Sequence, residues 1–451
     1  MCFKQLRLDY NILWYIIIGI LLYMSPVIWK FQNDCRVVYE RKTCTDKSTI
    51  LICCNVGSIH ETKDSAGFCH LLEHLLLVSG TESHTYLNIF KTFDVTGTDF
   101  NAFTTKTQTF FSVTCLTEHL KDFIVIFGYI MFTSNVGTRS IEKEQRVIKQ
   151  ENLSDANQSN LAIFEIFEAH MYNNTPYQNP IDGQKGDKQM NLKKLLSFYK
   201  TYYVPGNITV SIVSSVPSDT LLQFLKQSHF FTMNKLPVDA EIKKKNAEAI
   251  VNPGYYIVSK NMDTSTVMIG FFIQVYKEDE IGCYFEVLKY YLNRMDGLLF
   301  NHFRTNQGSA YRFNADIEHE EIGGYFSINV ETTPKHVLET LEFCIATFRN
   351  MIQNGISEKD LYDVKKFMKE SMKMKYDNIE ELAEYNNKQM SSLKALVPFT
   401  QIFQKYYKPI QTVQIHEMIK KHFISSQLVV SIVGKNTPAH SEVEKLCASL
   451  A

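Results

Sequence analysis

Short unbroken apolar runs alternate with longer amphipathic stretches along this chain, and the order repeats once. Arg36–Tyr39, Thr49–Cys54, Thr209–Val213, Thr266–Phe272 and Leu428–Val433 are rich in β-branched and apolar residues, which predicts strands. Leu192–Tyr202 and His336–Met351 space their apolar residues as helices do. Phe110–Thr114, a helical stretch and Ile141-Glu142-Lys143 are echoed by Tyr325–Asn329, a helix and Ser357-Glu358-Lys359. The predicted fold is therefore α+β, two homologous α/β sandwich domains in which a sheet packs with helices. Proline, charge and glycine break the pattern between Pro237 and Gly254. The expected division is a hydrophobic N-terminal segment 1–26, a first domain 27–236, a linker 237–253 and a second domain 254–451.

The N-terminus reads in more than one way. Ile12 to Trp29 carries no charged residue and follows Lys4 and Arg7, which suits a short membrane anchor through residues 12–29. Val27-Ile28-Trp29-Lys30-Phe31 also reads as the first strand, and removing it leaves a length typical of a signal-peptide core. Anchor, cleaved signal or targeting segment, and mis-assigned start all stay open, and no compartment follows. A transmembrane, membrane-associated form is the favoured expectation.

Composition narrows the function only by exclusion. With 451 residues, 45% hydrophobic and 21% charged, the chain is an ordinary globular protein long enough for two cores. A net charge of −1 offers no electrostatic case for nucleic acid, and Lys243-Lys244-Lys245 reads as a solvated linker. The 10 cysteines follow no framework spacing, and most read as buried free thiols. Occupied glycosylation at Asn152-Leu153-Ser154 is disfavoured, because a glycan there would obstruct a predicted helix.

The candidate chemistry lies in Gly67-Phe68-Cys69-His70-Leu71-Leu72-Glu73-His74-Leu75. On a helix His70 and His74 stand one turn apart on one face, the spacing two ligands need to reach one tetrahedral zinc ion. Glu73 shares that face and can take a proton from attacking water, so the order H-x-x-E-H reads as an inverted zinc-hydrolase signature. A surface helix with two solvated histidines would look the same. A hydrolytic zinc site needs a third protein ligand from elsewhere. Ser140–Ser154, strongly helical in composition, carries Glu144 and Glu151 two turns apart on one face. One could ligate and the other could hold a ligand histidine in orientation.

Together these features resemble the pitrilysin/insulinase-type zinc peptidases, which include the mitochondrial processing peptidases and short bacterial members. In that family a glutamate ligand follows the inverted motif after a near-fixed gap, with a second glutamate seven residues before it; Glu151 and Glu144 fit those places. Gly97–Thr104 looks like the family's strand lining the cleft, which implies that Asn101 lies near the substrate backbone. Arg304 and Tyr311 match a family pair that contacts substrate near the metal. After the second histidine the family often has a phenylalanine and a closely following Gly-Thr, whereas Leu75–Thr81 here carries leucine for the aromatic. No glycine-rich loop of the non-catalytic processing-peptidase subunit is present, since Asn293–Gly297 is ordinary, so the chain resembles the catalytic type.

The resemblance implies one Zn2+ per chain on His70, His74 and Glu151, with Glu73 as general base, Glu144 behind the ligands, and Arg304 and Tyr311 steadying substrate. It implies an endopeptidase that hydrolyses extended peptides or unfolded segments inside a closed chamber. A homodimer is the expected partner arrangement, with a heterodimer as the other choice, and Arg304 and Tyr311 would reach the neighbouring copy's metal site. The second half carries no H-x-x-E-H, and the repeat sets Leu361 and Met368 against Glu144 and Glu151. The alternative is a non-catalytic peptide-binding or scaffold subunit on the same fold.

Overall fold

Successive side chains of β3 (Lys47–Cys54) go to opposite faces of a sheet, and both faces are covered. Ile50, Ile52 and Cys54 enter the main core of the first half, whereas Leu51 enters a smaller cluster with Val213, Ile379, Leu382 and Ala383. Strand β8 (Ser265–Ile273) behaves likewise, with Val267, Ile269 and Phe271 on one side and Met268 and Phe272 on the other. Burial on both sides explains why these strands read as unbroken apolar runs rather than as an alternation.

The computed structural model describes residues 26–183, 190–236, 251–275, 282–392, 397, 401–435 and 437–450, apart from the side chains of residues 311, 391, 392 and 449. Two sheets organise them. The first joins β1 (Val27–Lys30), β2 (Arg36–Arg41), β3, β4 (Asp99–Thr104), β5 (Thr109–Leu116) and β6 (Ile208–Ser214) in the order β1-β2-β6-β3-β5-β4. The second joins β7 (Gly254–Ser259), β8, β9 (Ala310–Glu320), β10 (Gly323–Thr332) and β11 (Leu428–Gly434) in the order β7-β11-β8-β10-β9. Apart from β1, the two orders are the same, and β2 runs parallel to β6 as β7 does to β11. The repeat in the sequence is thus a repeat of topology, and the fold is two α/β sandwiches.

The halves exchange helices. Ser159–Met171 belongs to the first half of the chain but packs on β8 and β11, where Ile163, Phe167 and Met171 are buried. Ile379–Ser392 belongs to the second half but packs on β3 and β6. Each fully buried aliphatic or aromatic side chain in these contacts contributes about 1.5–3 kcal/mol, so the exchange ties the halves firmly. Polar links accompany it: Asn386 Nδ2 donates to buried Glu40 Oε2 over 2.9 Å, and Tyr325 donates to Glu168 Oε1 over 3.0 Å while Lys106 pairs with Glu168 Oε2 at 2.9 Å.

Two expectations change. The helices Thr138–Ala156 and Glu358–Asp377 are equivalent, and Ile141, Glu144 and Ile148 are buried where Leu361, Val364 and Met368 are. Glu144 therefore corresponds to Val364 rather than Leu361, because the helix that precedes it in the second half, Val337–Asn354, has 18 residues where its counterpart Leu120–Thr133 has 14. At the N-terminus, Val27–Lys30 is a strand paired antiparallel with β2, so Val27 to Trp29 do not belong to a membrane span. The rest of that segment, residues 1–25, lies outside the described residues, as does 237–250 of the expected linker. No described helix is long and apolar enough to cross a membrane.

Candidate metal centre

The motif folds as the helix Phe68–Val78. Phe68, Cys69, Leu71, Leu72, Leu75 and Leu76 are buried on its inner side, which leaves His70 and His74 on the side facing the helix Thr138–Ala156. Its N-cap, Gly67, has φ +85° and no side chain to cap with. Glu61 does this work from outside: its Oε2 accepts the Gly67 N–H and its Oε1 the Cys69 N–H, each over 2.7 Å. Burial pushes the Glu61 carboxyl up to about 7 although both bonds favour the charged form.

His70 Nε2 and His74 Nε2 lie 3.2 Å apart, and Glu151 Oε2 lies 3.8 Å from the first and 3.5 Å from the second. Ligands on a tetrahedral zinc with bonds of about 2.0–2.1 Å are separated by about 3.3–3.4 Å, so this triangle has the size of one face of such a site. Charge agrees with geometry. The Nδ1 atom of His74 lies 3.3 Å from buried Glu144 Oε2, and that of His70 lies 2.9 Å from Asp182 Oδ1. With a proton on each Nδ1, the two Nε2 lone pairs and a carboxylate oxygen would converge on one point, a donor set that suits a bound cation. Burial pulls the His70 pKa down, yet Asp182, Glu73 and Glu151 outweigh it and hold the group above its ordinary value. His70, His74 and Glu151 are also the one group among the described residues whose ligand atoms cluster tightly enough for a metal.

Glu73 sits beside the triangle and is 8% exposed. Thr104 Oγ1 donates to its Oε2 over 2.6 Å. Burial raises the Glu73 pKa, while Thr104 and the two histidines pull it back only in part, which leaves a carboxylate able to take a proton. Thr104 ends β4, the open edge of the first sheet, and Asn101 lies exposed on the same strand with its Oδ1 accepting the Ala102 N–H. An open edge beside a base is suited to receiving an extended chain.

Five of the expected site residues, His70, Glu73, His74, Glu144 and Glu151, meet at this centre. Arg304 lies in the turn Asn301–Asn306 and lines a cleft of about 690 Å³ with Asn157, Gln158, Ser309, Arg312 and Glu331. Asn157 and Gln158 follow the C-terminal end of the glutamate helix, about 9 Å along its axis from Glu151. Tyr311 is in β9, and its side chain lies outside the described residues. Pattern reading missed Asp182 and Glu61. Each is a single acid in an irregular segment, with no periodic partner to mark it.

Residues 36–185 match the family described as Insulinase (Peptidase family M16), and residues 189–368 match the one described as Peptidase M16 inactive domain. The chain belongs to this pitrilysin/insulinase-type family. An uncharacterized zinc protease of Rickettsia felis is 24% identical over 390 residues, covering 84% of this chain and 90% of that protein. Over 204 residues, 45% of this chain and 44% of the other, it is 25% identical to the mitochondrial-processing peptidase subunit beta of Caenorhabditis elegans. A protease of Helicobacter pylori has the same fold, with a TM-score of 0.83 over 92% of this chain and 100% of that one at 18% identity. The M16 match to an inactive domain falls largely on the part that lacks the metal motif, while the zinc proteases among its relatives support a peptidase-type function.

Proposed function

We propose that the protein is a zinc-dependent endopeptidase that cleaves peptides or unfolded segments bound in extended form. The observation that carries this reading is the His70, His74 and Glu151 triangle with Glu73 beside it. Zinc held there would polarise a carbonyl and make water a usable nucleophile near neutrality. The chain's own groups do the rest. Glu73, kept poised by burial and by Thr104, accepts the proton of the attacking water and returns it to the leaving amine. Strand β4 offers its free edge to the substrate backbone near Asn101.

Arg304 and Tyr311 are proposed to steady the substrate in a closed assembly of two copies, each reaching the other's centre. A fully active monomer on gel filtration would remove that part. The test of the metal reading is chelation followed by zinc: cleavage of a quenched extended peptide should vanish and return. Cleavage that persists in metal-free protein would contradict it.

A further inference from the structure

The two ligand histidines are held from behind by acids of different origin. Glu144, buried on the glutamate helix, stands at His74 Nδ1. At His70 Nδ1 the acid is Asp182, from the irregular segment after Pro176–Gln178. We propose that Asp182 is a positioning residue that orients His70 toward the metal; this rests on the metal reading above.

The placement is built into the backbone. Gly183 has φ +79°, and a Cβ on it would lie 2.8 Å from the Gly67 nitrogen; a Cβ on Gly67 would lie 3.1 Å from the Asp182 carbonyl. Two glycines therefore let the 180–183 segment lie directly on the start of the motif helix. Upstream, the Asn179 carbonyl accepts from Lys106 Nζ over 2.9 Å and from Ser58 Oγ over 3.3 Å, which fixes the segment's approach. The Asp182 side chain is 38% exposed, so it fills no core.

The chemistry needs an acceptor at this point. An imidazole that ligates through Nε2 carries its proton on Nδ1, and a group accepting that proton sets the tautomer and the ring plane. His70 Nδ1 is buried and makes no straight hydrogen bond to a described group, although Asp182 Oδ1 is only 2.9 Å away. A small rotation of this half-exposed carboxylate lines it up with the ring N–H. The metal centre then draws on three separate segments, and the third belongs to neither the inverted motif nor the glutamate helix.

The experiment is zinc affinity by chelator competition in the full chain, for the wild type, Asp182→Ala and Asp182→Asn. Removing such a partner typically weakens metal binding about 10–100-fold. That loss is expected for Asp182→Ala, with a smaller loss for Asp182→Asn, which keeps an acceptor. The metal-free proteins should melt alike, and only the zinc-induced rise in melting temperature should shrink. Gly183→Ala, which pushes the segment off Gly67 with Asp182 intact, should weaken zinc in the same direction. Equal affinity in wild type and Asp182→Ala would overturn this proposal alone. A lower metal-free melting temperature in both Asp182 variants, with zinc affinity unchanged, would also overturn it, by making the role structural. A wild type that takes up no zinc would overturn the metal reading itself.

Discussion

Thr104 Oγ1 and Glu73 Oε2 are 2.6 Å apart, and this one hydrogen bond joins the open edge of the first sheet to the carboxylate of the metal motif. The strand that would receive substrate therefore also tunes the group that would take a proton.

Thr104→Val removes that donor and keeps the shape of the side chain. The bond stabilises the charged carboxylate, so losing it raises the Glu73 pKa further above its ordinary value. The base form then disappears at higher pH, and the acid limb of the rate profile moves up. A hydrogen bond to a charged group contributes roughly 1.5–3 kcal/mol, so kcat should fall about tenfold or more with zinc content unchanged. Thr104→Ser should restore both. A profile unmoved by Thr104→Val would show that Glu73 does not limit the reaction.

His422 supplies a pH test of stability away from the centre. It is 6% exposed beside Phe285, and burial, with Lys421, lowers its pKa to about 4. The unfolded chain binds this proton near 6.5 and the folded one only near 4, so the contribution is present above about 6.5 and is lost as pH falls through 4. Between about pH 7 and 5 the loss should be on the order of 2 kcal/mol. Urea titrations of His422→Leu should lack that part of the decline. An identical decline in the variant would place the proton uptake elsewhere.

Exchanged helices predict one cooperative unfolding event. Sheets that each borrow a helix from the other half cannot melt separately without exposing Leu51 and Val213 on one side and Met268 and Val429 on the other. Calorimetry should show a single transition. Asn386→Leu, which strips the buried Glu40 carboxylate of a donor, should lower it by about 1–3 kcal/mol without splitting it. Two resolved transitions would mean that the exchange does not couple the halves.

The strands were legible because Thr49–Cys54 and Leu428–Val433 are short and rich in β-branched and apolar residues. Such runs declare a buried strand but not its neighbours, so the helix exchange was hidden: nothing in the sequence of Ser159–Met171 or Ile379–Ser392 tells which sheet each helix covers. The centre was legible where spacing carries it, at His70, Glu73, His74, Glu144 and Glu151. Thr104 could be quoted as part of a strand, but its bond to Glu73 depends on how β4 meets the motif helix. Asp182 and Glu61 act across loops whose course is set by Gly67, Gly183 and Asn179, and no periodicity encodes that course.

The most direct test sets the wild type beside Glu73→Gln, measuring bound zinc and cleavage of one quenched extended peptide in both. About one zinc per chain in each protein, with hydrolysis lost only in Glu73→Gln, is the predicted result. Wild-type turnover in zinc-loaded Glu73→Gln, or a folded wild type that holds zinc and cleaves nothing, would contradict the account.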